Sequence, residues 1–385
     1  MEFCEDNSRS LKKILDTIKA SPPNTKKHIY YDKIFNDINQ GIKYITQNRC
    51  FGKAKIQKVL KKDIPKKNRF MTKHVIENIK LTLKKKVIFN CIVNYKLVKI
   101  IFFVKDNITD IIDQLHRNTQ LILTWLYICE KYSNKKCNKS LKIYIYMTEL
   151  KKQLPSSNLA TVNVNNINSG FSTVCNKNNE ITIFREEEWF KVFIHETFHS
   201  YGFEQNQNIL VMLNINISKL FTVKTNILIN EAYVESWARI MNAAFSCFLK
   251  CNNKRDFYSL FSFTLEVEKL FGYIQLNKIL SHNNLSYKNI IDKKYKIGNF
   301  YKEGASAFSY YVLTALLLSS PQQFMLWCFM NNSNWICFDN SMRNMKSFTE
   351  YLESKLESVV ITDNIQEIFT NNETGLRMSI TEINY

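Results

Sequence analysis

Two of the chain's six histidines, His195 and His199, stand four residues apart in the segment HETFH, and Glu196 follows the first of them. Residues at this spacing in a helix project from the same face. Two neutral imidazoles so placed can reach one Zn²⁺ ion at about 2.0–2.1 Å. Glu196 lies about 100° further round the helix, where it can hydrogen-bond a water but not easily bind the ion. The segment therefore predicts two metal ligands and a general base, the HExxH arrangement.

The competing interpretation is a pair of core histidines, each satisfied by a backbone carbonyl. Val192 and Phe203 extend the same stripe, so the face that carries the two rings should point inward. Burying an imidazole costs free energy unless both ring nitrogens have partners, and two buried rings double that cost. One zinc ion satisfies both rings, which favours a metal site.

A catalytic zinc ion needs a third protein ligand and one open position. Glu231 and Glu235 are one turn apart in NEAYVESWARIMNAAF, a predicted helix over residues 230–245. Their stripe is mostly apolar, and two carboxylates there are costly without a cation. We expect Glu231 to bind the ion and Glu235 to accept a hydrogen bond from His195.

A second candidate for the third ligand is Gln205, which follows Gly202 by three residues. In HExxHxxGxxH proteins a histidine occupies that position, whereas an amide is a poor zinc ligand. A helix-ending role explains Gly202 without any metal. Glu231 is therefore the stronger candidate, although its distance from His199 requires residues 204–226 to form an insertion.

The pair HETFH and NEAYVE resembles the gluzincin clan of zinc metallopeptidases, which includes the thermolysin-like enzymes. The resemblance covers about residues 85–245 and implies that His195, His199 and Glu231 are zinc ligands. It also implies that Glu196 is the catalytic base and that Glu235 hydrogen-bonds to a zinc ligand without binding the ion itself. The whole chain also resembles HExxH proteins encoded by large DNA viruses.

The clan uses a tyrosine or histidine from the C-terminal part of the chain to stabilise the transition state. Tyr310 and Tyr311, in EGASAFSYYVL, are the candidates for that catalytic role, with His282 as a further one. Core packing or an ordinary loop position is the competing explanation for each of them.

The elements around these residues suggest an α+β fold. Residues 84–105 read as two adjacent strands, residues 110–132 as a helix, and residues 140–150 and 180–184 as further strands. From Phe203 onward nearly everything reads as helix. We expect a zincin-like fold, in which a small mixed β-sheet and the HExxH helix precede a mainly helical C-terminal subdomain.

Composition divides the chain into three predicted regions: a basic, mostly helical region at 1–80, the sheet and active-site helix at 81–203, and the helical subdomain at 204–385. The net charge of +19 comes mainly from lysine in a chain rich in Asn and Ile, as AT-rich coding DNA produces. We therefore expect no specific nucleic-acid partner, although weak non-specific binding fits the charge. Ten cysteines are too sparse for a disulfide scaffold and are expected to be reduced thiols.

No signal peptide or membrane span is visible, so a cytoplasmic location is expected, with the virion as another option. The predicted function is zinc-dependent hydrolysis of a polypeptide substrate. The alternative is a catalytically inactive zinc-binding structural, virion or interaction protein, and Glu196 argues against it because a structural site needs no base. A third class, nucleic-acid binding through residues 1–80, follows only from the charge.

Overall fold

The structure is a computed structural model that describes residues 8–20, 28–106, 111–133, 136–295, 297–298, 300–359 and 373–383. Contacts divide the chain into two units. The sheet unit comprises Tyr31–Lys152, Asn168–Phe203 and Ile383–Tyr385, and the helical unit comprises Met1–Tyr30, Gln153–Ile167 and Glu204–Glu382. The predicted boundaries at residues 80 and 203 stay a prediction.

The fold is α+β, as the sequence predicted. The six strands are Lys55–Lys58 (β1), Lys85–Val93 (β2), Lys96–Val104 (β3), Ser140–Tyr146 (β4), Gly170–Ser172 (β5) and Asn178–Ile183 (β6). The α-helices are Ser8–Ala20 (α1), Ile29–Gln47 (α2), Lys73–Thr82 (α3), Ile112–Tyr132 (α4), Val164–Ile167 (α5), Trp189–Tyr201 (α6), Gln207–Ser218 (α7), Ile229–Lys250 (α8), Lys254–His282 (α9), Tyr287–Ile291 (α10), Thr314–Leu317 (α11), Pro321–Asn331 (α12) and Met342–Glu353 (α13). A π-helical segment, Phe308–Leu313, leads directly into α11.

The sheet unit holds one mixed sheet with the strand order β1-β2-β3-β4-β6-β5. β1, β2 and β3 are antiparallel, β4 lies parallel to both β3 and β6, and β5 closes the far edge antiparallel to β6. The central strands are rich in buried Val, Ile and Phe because both sheet faces are covered. α3 packs on one face through Val75 and Ile79. α4 contacts β2, and α6 contacts β5 and β6.

Most of the predicted elements are confirmed in this unit. The two adjacent strands are β2 and β3, and the helix predicted over residues 110–132 is α4, whose predicted first residue lies outside the described residues. The strand predicted to end at Leu150 ends at Tyr146. The sequence missed β1, because KIQK has no alternation of apolar and polar residues and all four side chains are exposed. Pairing with β2 makes it a strand, and its lysines are typical of an edge.

The helical unit confirms the prediction of helix beyond Phe203. α8 and α9 pack together, and α1 packs on α9. The C-terminal segment is held by the buried carboxylate of Glu268, which accepts hydrogen bonds from Ser379 Oγ (2.6 Å), Ile380 N (3.1 Å) and Thr381 N (3.0 Å). Arg239 pairs with the same carboxylate at 3.1 Å, so the buried charge is balanced.

Among the described residues, no single helix has both the length and the apolar character needed to cross a membrane. One pair of helices, Phe308–Leu317 and Pro321–Asn331, satisfies these requirements only when taken together, and it is bent by 86°.

Lys278 of α9 is a buried amine in the helical unit. Its Nζ donates to Gly375 O at 3.0 Å and lies 3.8 Å from Glu373 Oε2. Burial lowers the pKa of this amine from 10.5 to about 8, although the nearby Glu373 acts in the opposite direction. The folded chain therefore binds the proton of the Lys278 amine less tightly than the unfolded chain does.

We predict that Lys278 makes stability rise with pH. Between a folded pKa of about 8 and an unfolded pKa of 10.5, the unfolded chain binds more protons at this site. Across that window the free energy of unfolding should rise by up to about 3 kcal/mol in the native chain relative to Lys278→Met. Urea unfolding of both proteins at pH 7–10.5 measures the difference. A difference that is independent of pH would contradict the prediction.

Candidate active site

Helix α6 carries the HETFH segment and contacts α4, β5 and β6 within the sheet unit. Twelve of its thirteen residues are buried, and His199 is half-buried. The helix ends at Gly202, whose φ of 66° is left-handed and whose N–H bonds to His199 O. This confirms the predicted helix-ending glycine, because a left-handed residue at this position is strained unless it lacks a Cβ.

The three carboxylates Glu186–Glu188 stand immediately before α6, which begins at Trp189. Glu188 has a φ of 57° and makes no side-chain cap; its carboxylate instead pairs with the buried Lys152 Nζ at 2.8 Å. Glu187 accepts from Lys152 N at 2.7 Å. These contacts tie the start of α6 to the segment after β4.

His195 and His199 lie together on α6, as their spacing predicted, with their Nε2 atoms 3.2 Å apart. Two ligands on a tetrahedral ion with bonds of about 2.0–2.1 Å are separated by about 3.3 Å. A single N–H···N hydrogen bond between the rings has a similar length. The pair is therefore arranged so that both nitrogens can face one ion, or so that one ring can donate to the other.

Glu196 contacts β5, the edge strand of the sheet. Ser172 Oγ lies 2.8 Å from Glu196 Oε2 and 3.1 Å from Glu196 O. Gly170, on the same face of the strand, is so close that an added Cβ would lie 3.2 Å from Glu196 Oε1. No spacing rule in the sequence connects Ser172 with Glu196.

The buried side of α6 is fixed by polar contacts to other elements. Trp125 Nε1 of α4 donates to Thr197 Oγ1 at 2.6 Å. The carbonyl of Ser200 accepts from both Asn138 Nδ2 and Asn179 Nδ2 at 3.0 Å. These contacts fix the helix on either side of His199.

Beside these asparagines, Cys137 and Cys175 form a disulfide. The expectation that all cysteines are reduced is therefore wrong for this pair. Cys175 Sγ would lie 3.4 Å from a Cβ added at Gly202, so the disulfide lies against the end of α6. The pairing depends on the fold, since 38 residues separate the two cysteines. Cys247 and Cys251 are free thiols, as expected.

We predict that Cys175→Ser destabilises the oxidised protein. Closing a loop of 38 residues restricts the unfolded chain by about 4 kcal/mol in the chain-entropy description. Urea unfolding without reductant should show a loss of about 2–4 kcal/mol in the variant, and dithiothreitol should abolish the difference. Cys251→Ser, at a free and half-buried cysteine, is the matched control. Equal stability of the oxidised native protein and Cys175→Ser would refute the prediction.

In the helical unit, Glu231 lies in the first turn of α8. The start of this helix is fixed by two donated hydrogen bonds: Ile229 N to Asn214 Oδ1 and Leu228 N to Ser309 Oγ, both at 3.0 Å. Asn214 belongs to α7, so the predicted insertion at residues 204–226 helps to cap the helix that carries Glu231.

The two candidate tyrosines have different partners. Tyr310 OH donates to Glu231 Oε2 at 2.9 Å, whereas Tyr311 is buried and its OH donates to Leu376 O at 2.5 Å. Both lie in the π-helical segment, whose wider turn shifts successive side chains relative to an α-helix. Tyr311 therefore has a structural role, in packing against the C-terminal segment. Tyr310 is the tyrosine that hydrogen-bonds to a predicted zinc ligand, Glu231.

Glu303 anchors the start of the π-helical segment. Its Oε2 accepts from Phe308 N at 2.7 Å and from Tyr301 OH at 3.0 Å. Burial raises the pKa of the Glu303 carboxyl, while a hydrogen bond from Thr225 is the largest effect that lowers it. These contacts fix the backbone at Phe308, two residues before Tyr310.

The remaining candidate residues also have defined environments. Glu235 is buried in α8 at 1% exposure, as its place on an apolar stripe predicted. Gln205 is buried, and its amide has no hydrogen-bond partner among the described residues. His282 Nε2 lies 2.7 Å from Ala160 O at the end of α9.

Comparisons of the chain with protein-family models, with curated proteins and with solved structures find no match. Functional inference therefore depends on the residues themselves.

Proposed function

We propose that this chain is a zinc-dependent metallopeptidase in which His195, His199 and Glu231 hold the ion and Glu196 is the general base. One observation carries the proposal. His195 Nε2 and His199 Nε2 lie 3.2 Å apart on one face of α6, and Glu196 follows the first of them. Two imidazole nitrogens and a carboxylate oxygen form a donor set that zinc prefers, and they leave a fourth position for water or substrate.

This separation of the histidine nitrogens is close to that of two ligands on a tetrahedral zinc ion. His195 is buried, and His199 and Glu231 are half-buried, which limits their access to water as alternative partners. Glu231 is preferred to Gln205, since a carboxylate binds zinc more strongly than an amide does.

We also infer that the fold is zincin-like, of the gluzincin kind. The support is the order of elements in the sheet unit, where a mixed sheet with an edge strand is followed by the HExxH helix. Among the described strands β6 is the only neighbour of β5, so β5 forms an edge of the sheet. An extended polypeptide substrate can add to such an edge through backbone hydrogen bonds.

Zinc, when bound, supplies a Lewis acid that makes a water molecule acidic near neutral pH. Glu196 accepts the proton of the attacking water and delivers it to the leaving amine. Tyr310 donates a hydrogen bond to the developing negative charge on the substrate carbonyl oxygen, for which its hydroxyl must turn from Glu231. Glu235 orients His195 by accepting a hydrogen bond from its outer ring nitrogen.

We predict that Glu196→Gln lowers turnover of a peptide library by at least about 10²-fold while zinc stays bound, since only the base is removed. Glu231→Ala should lose zinc as well as turnover. Zinc content after dialysis and hydrolysis rates measure the two effects. Glu180→Gln, at an exposed glutamate of β6, is the control and should retain both properties. Full activity in Glu196→Gln would rule out this mechanism, and zinc without hydrolysis in the native chain would favour the inactive zinc-binding alternative.

We predict that Tyr310→Phe and Tyr311→Phe separate catalysis from packing. Loss of one transition-state donor costs about 10²–10³ in kcat, so Tyr310→Phe should be slow but stably folded. Tyr311→Phe should keep its kcat and lose about 1–3 kcal/mol of stability, because Leu376 O is left buried without its donor. Steady-state kinetics and urea unfolding test the pair. The same kcat in both variants would contradict the assignment of Tyr310.

A further inference from the structure

We propose that Ser172 is a positioning residue for the general base, an inference that rests on the proposed function. Its hydroxyl, on the edge strand β5, donates to Glu196 Oε2 at 2.8 Å. Glu196 O is also within reach at 3.1 Å, but a hydroxyl has one proton. The carboxylate is the stronger acceptor because it is charged, so it takes this proton.

The backbone of β5 holds this hydroxyl at a fixed height above α6. Ser172 pairs with Ile181 and Gly170 pairs with Ile183 in the register with β6. Residues two apart in a strand project from the same face, so both positions face the helix. At Gly170 an added Cβ would lie 2.9 Å from Val192 Cγ1 and 3.0 Å from Thr182 O, so the strand can approach α6 only with glycine there.

The intervening residue anchors the opposite face of the strand. Phe171 stacks on Phe70 with ring centroids 5.8 Å apart and packs against the core cluster under α3. β5 is thus fixed by packing on one face, by β6 at its side and by α6 on the other face. A strand held in this way restricts the rotation of Ser172 and, through it, the orientation of the Glu196 carboxylate.

The physical role follows from the geometry of proton transfer. A base must be within hydrogen-bond distance of the proton it takes, and misplacement by about 1 Å can cost about 10²-fold in rate. Glutamate has three rotatable side-chain bonds, so helix position alone does not orient its carboxylate. Ser172 limits that freedom. Because the substrate is expected to add to the same strand, one element orients both the base and the scissile bond.

The test compares Ser172→Ala with Ser172→Thr. Ser172→Ala should lower kcat by about 10- to 100-fold, the value of a hydrogen bond to a charged group, with KM and zinc content unchanged. Ser172→Thr keeps a hydroxyl on a residue that strands accept, and it should restore kcat to within about threefold of the native value. Ser169→Ala is the matched control. That serine belongs to the same segment and is buried, and its hydroxyl has no hydrogen-bond partner among the described residues.

A second readout does not depend on activity. Crystal structures of the metal-free native protein, Ser172→Ala and Ser169→Ala should show the Glu196 carboxylate displaced or in several conformers only in Ser172→Ala. If the native chain hydrolyses no peptide, the peptidase proposal fails, and these structures still decide the role of Ser172. An unmoved Glu196 in Ser172→Ala, or a kcat within twofold of the native value, would overturn the inference. Loss of kcat in both Ser172→Ala and Ser172→Thr would overturn it too, since the hydroxyl would not be the cause.

Discussion

Two imidazole rings one turn apart on an enclosed helix impose the main constraint on this molecule. Their facing nitrogens are 3.2 Å apart, and His195 is almost fully buried. A buried ring nitrogen without a partner is costly, and the two facing nitrogens can satisfy each other by sharing a proton or by binding one cation. Either arrangement tolerates little movement of the two rings. The contacts around α6 limit that movement by fixing the helix.

The sheet unit supplies that rigidity through contacts at every part of α6. Lys152 binds the carboxylates at its start, Trp125 bonds to its middle, and Asn138 and Asn179 bond to a carbonyl in its last turn. Most of these partners are buried, where hydrogen bonds are stronger than in water and where an unpaired group is expensive. Removing one partner therefore leaves another group unsatisfied, and the network acts as a unit.

Acidic residues of the helical unit also have hydrogen-bond donors beside them. Glu268 is surrounded by donors from the C-terminal segment, and Glu303 accepts hydrogen bonds at the start of the π-helical segment. Both carboxylates have structural partners close in space. Glu231 accepts a hydrogen bond from the hydroxyl of Tyr310, a group that can also donate elsewhere.

The sequence by itself determined the features that depend on local spacing. These include the shared face of His195 and His199, the end of α6 at Gly202, the strands β2 and β3, and the burial of Glu235 on an apolar stripe. Periodicity and capping are properties of neighbouring residues, so the order of amino acids is sufficient to reveal them.

Tertiary structure decided the features that join distant residues. It gave KIQK a strand partner, paired Cys137 with Cys175, set Ser172 against Glu196 and gave the adjacent Tyr310 and Tyr311 different partners. No local pattern encodes these contacts, because each depends on where two segments meet after the sheet and helices have packed. The chemistry of the candidate site is therefore visible in the order of the residues, whereas its geometry belongs to the fold.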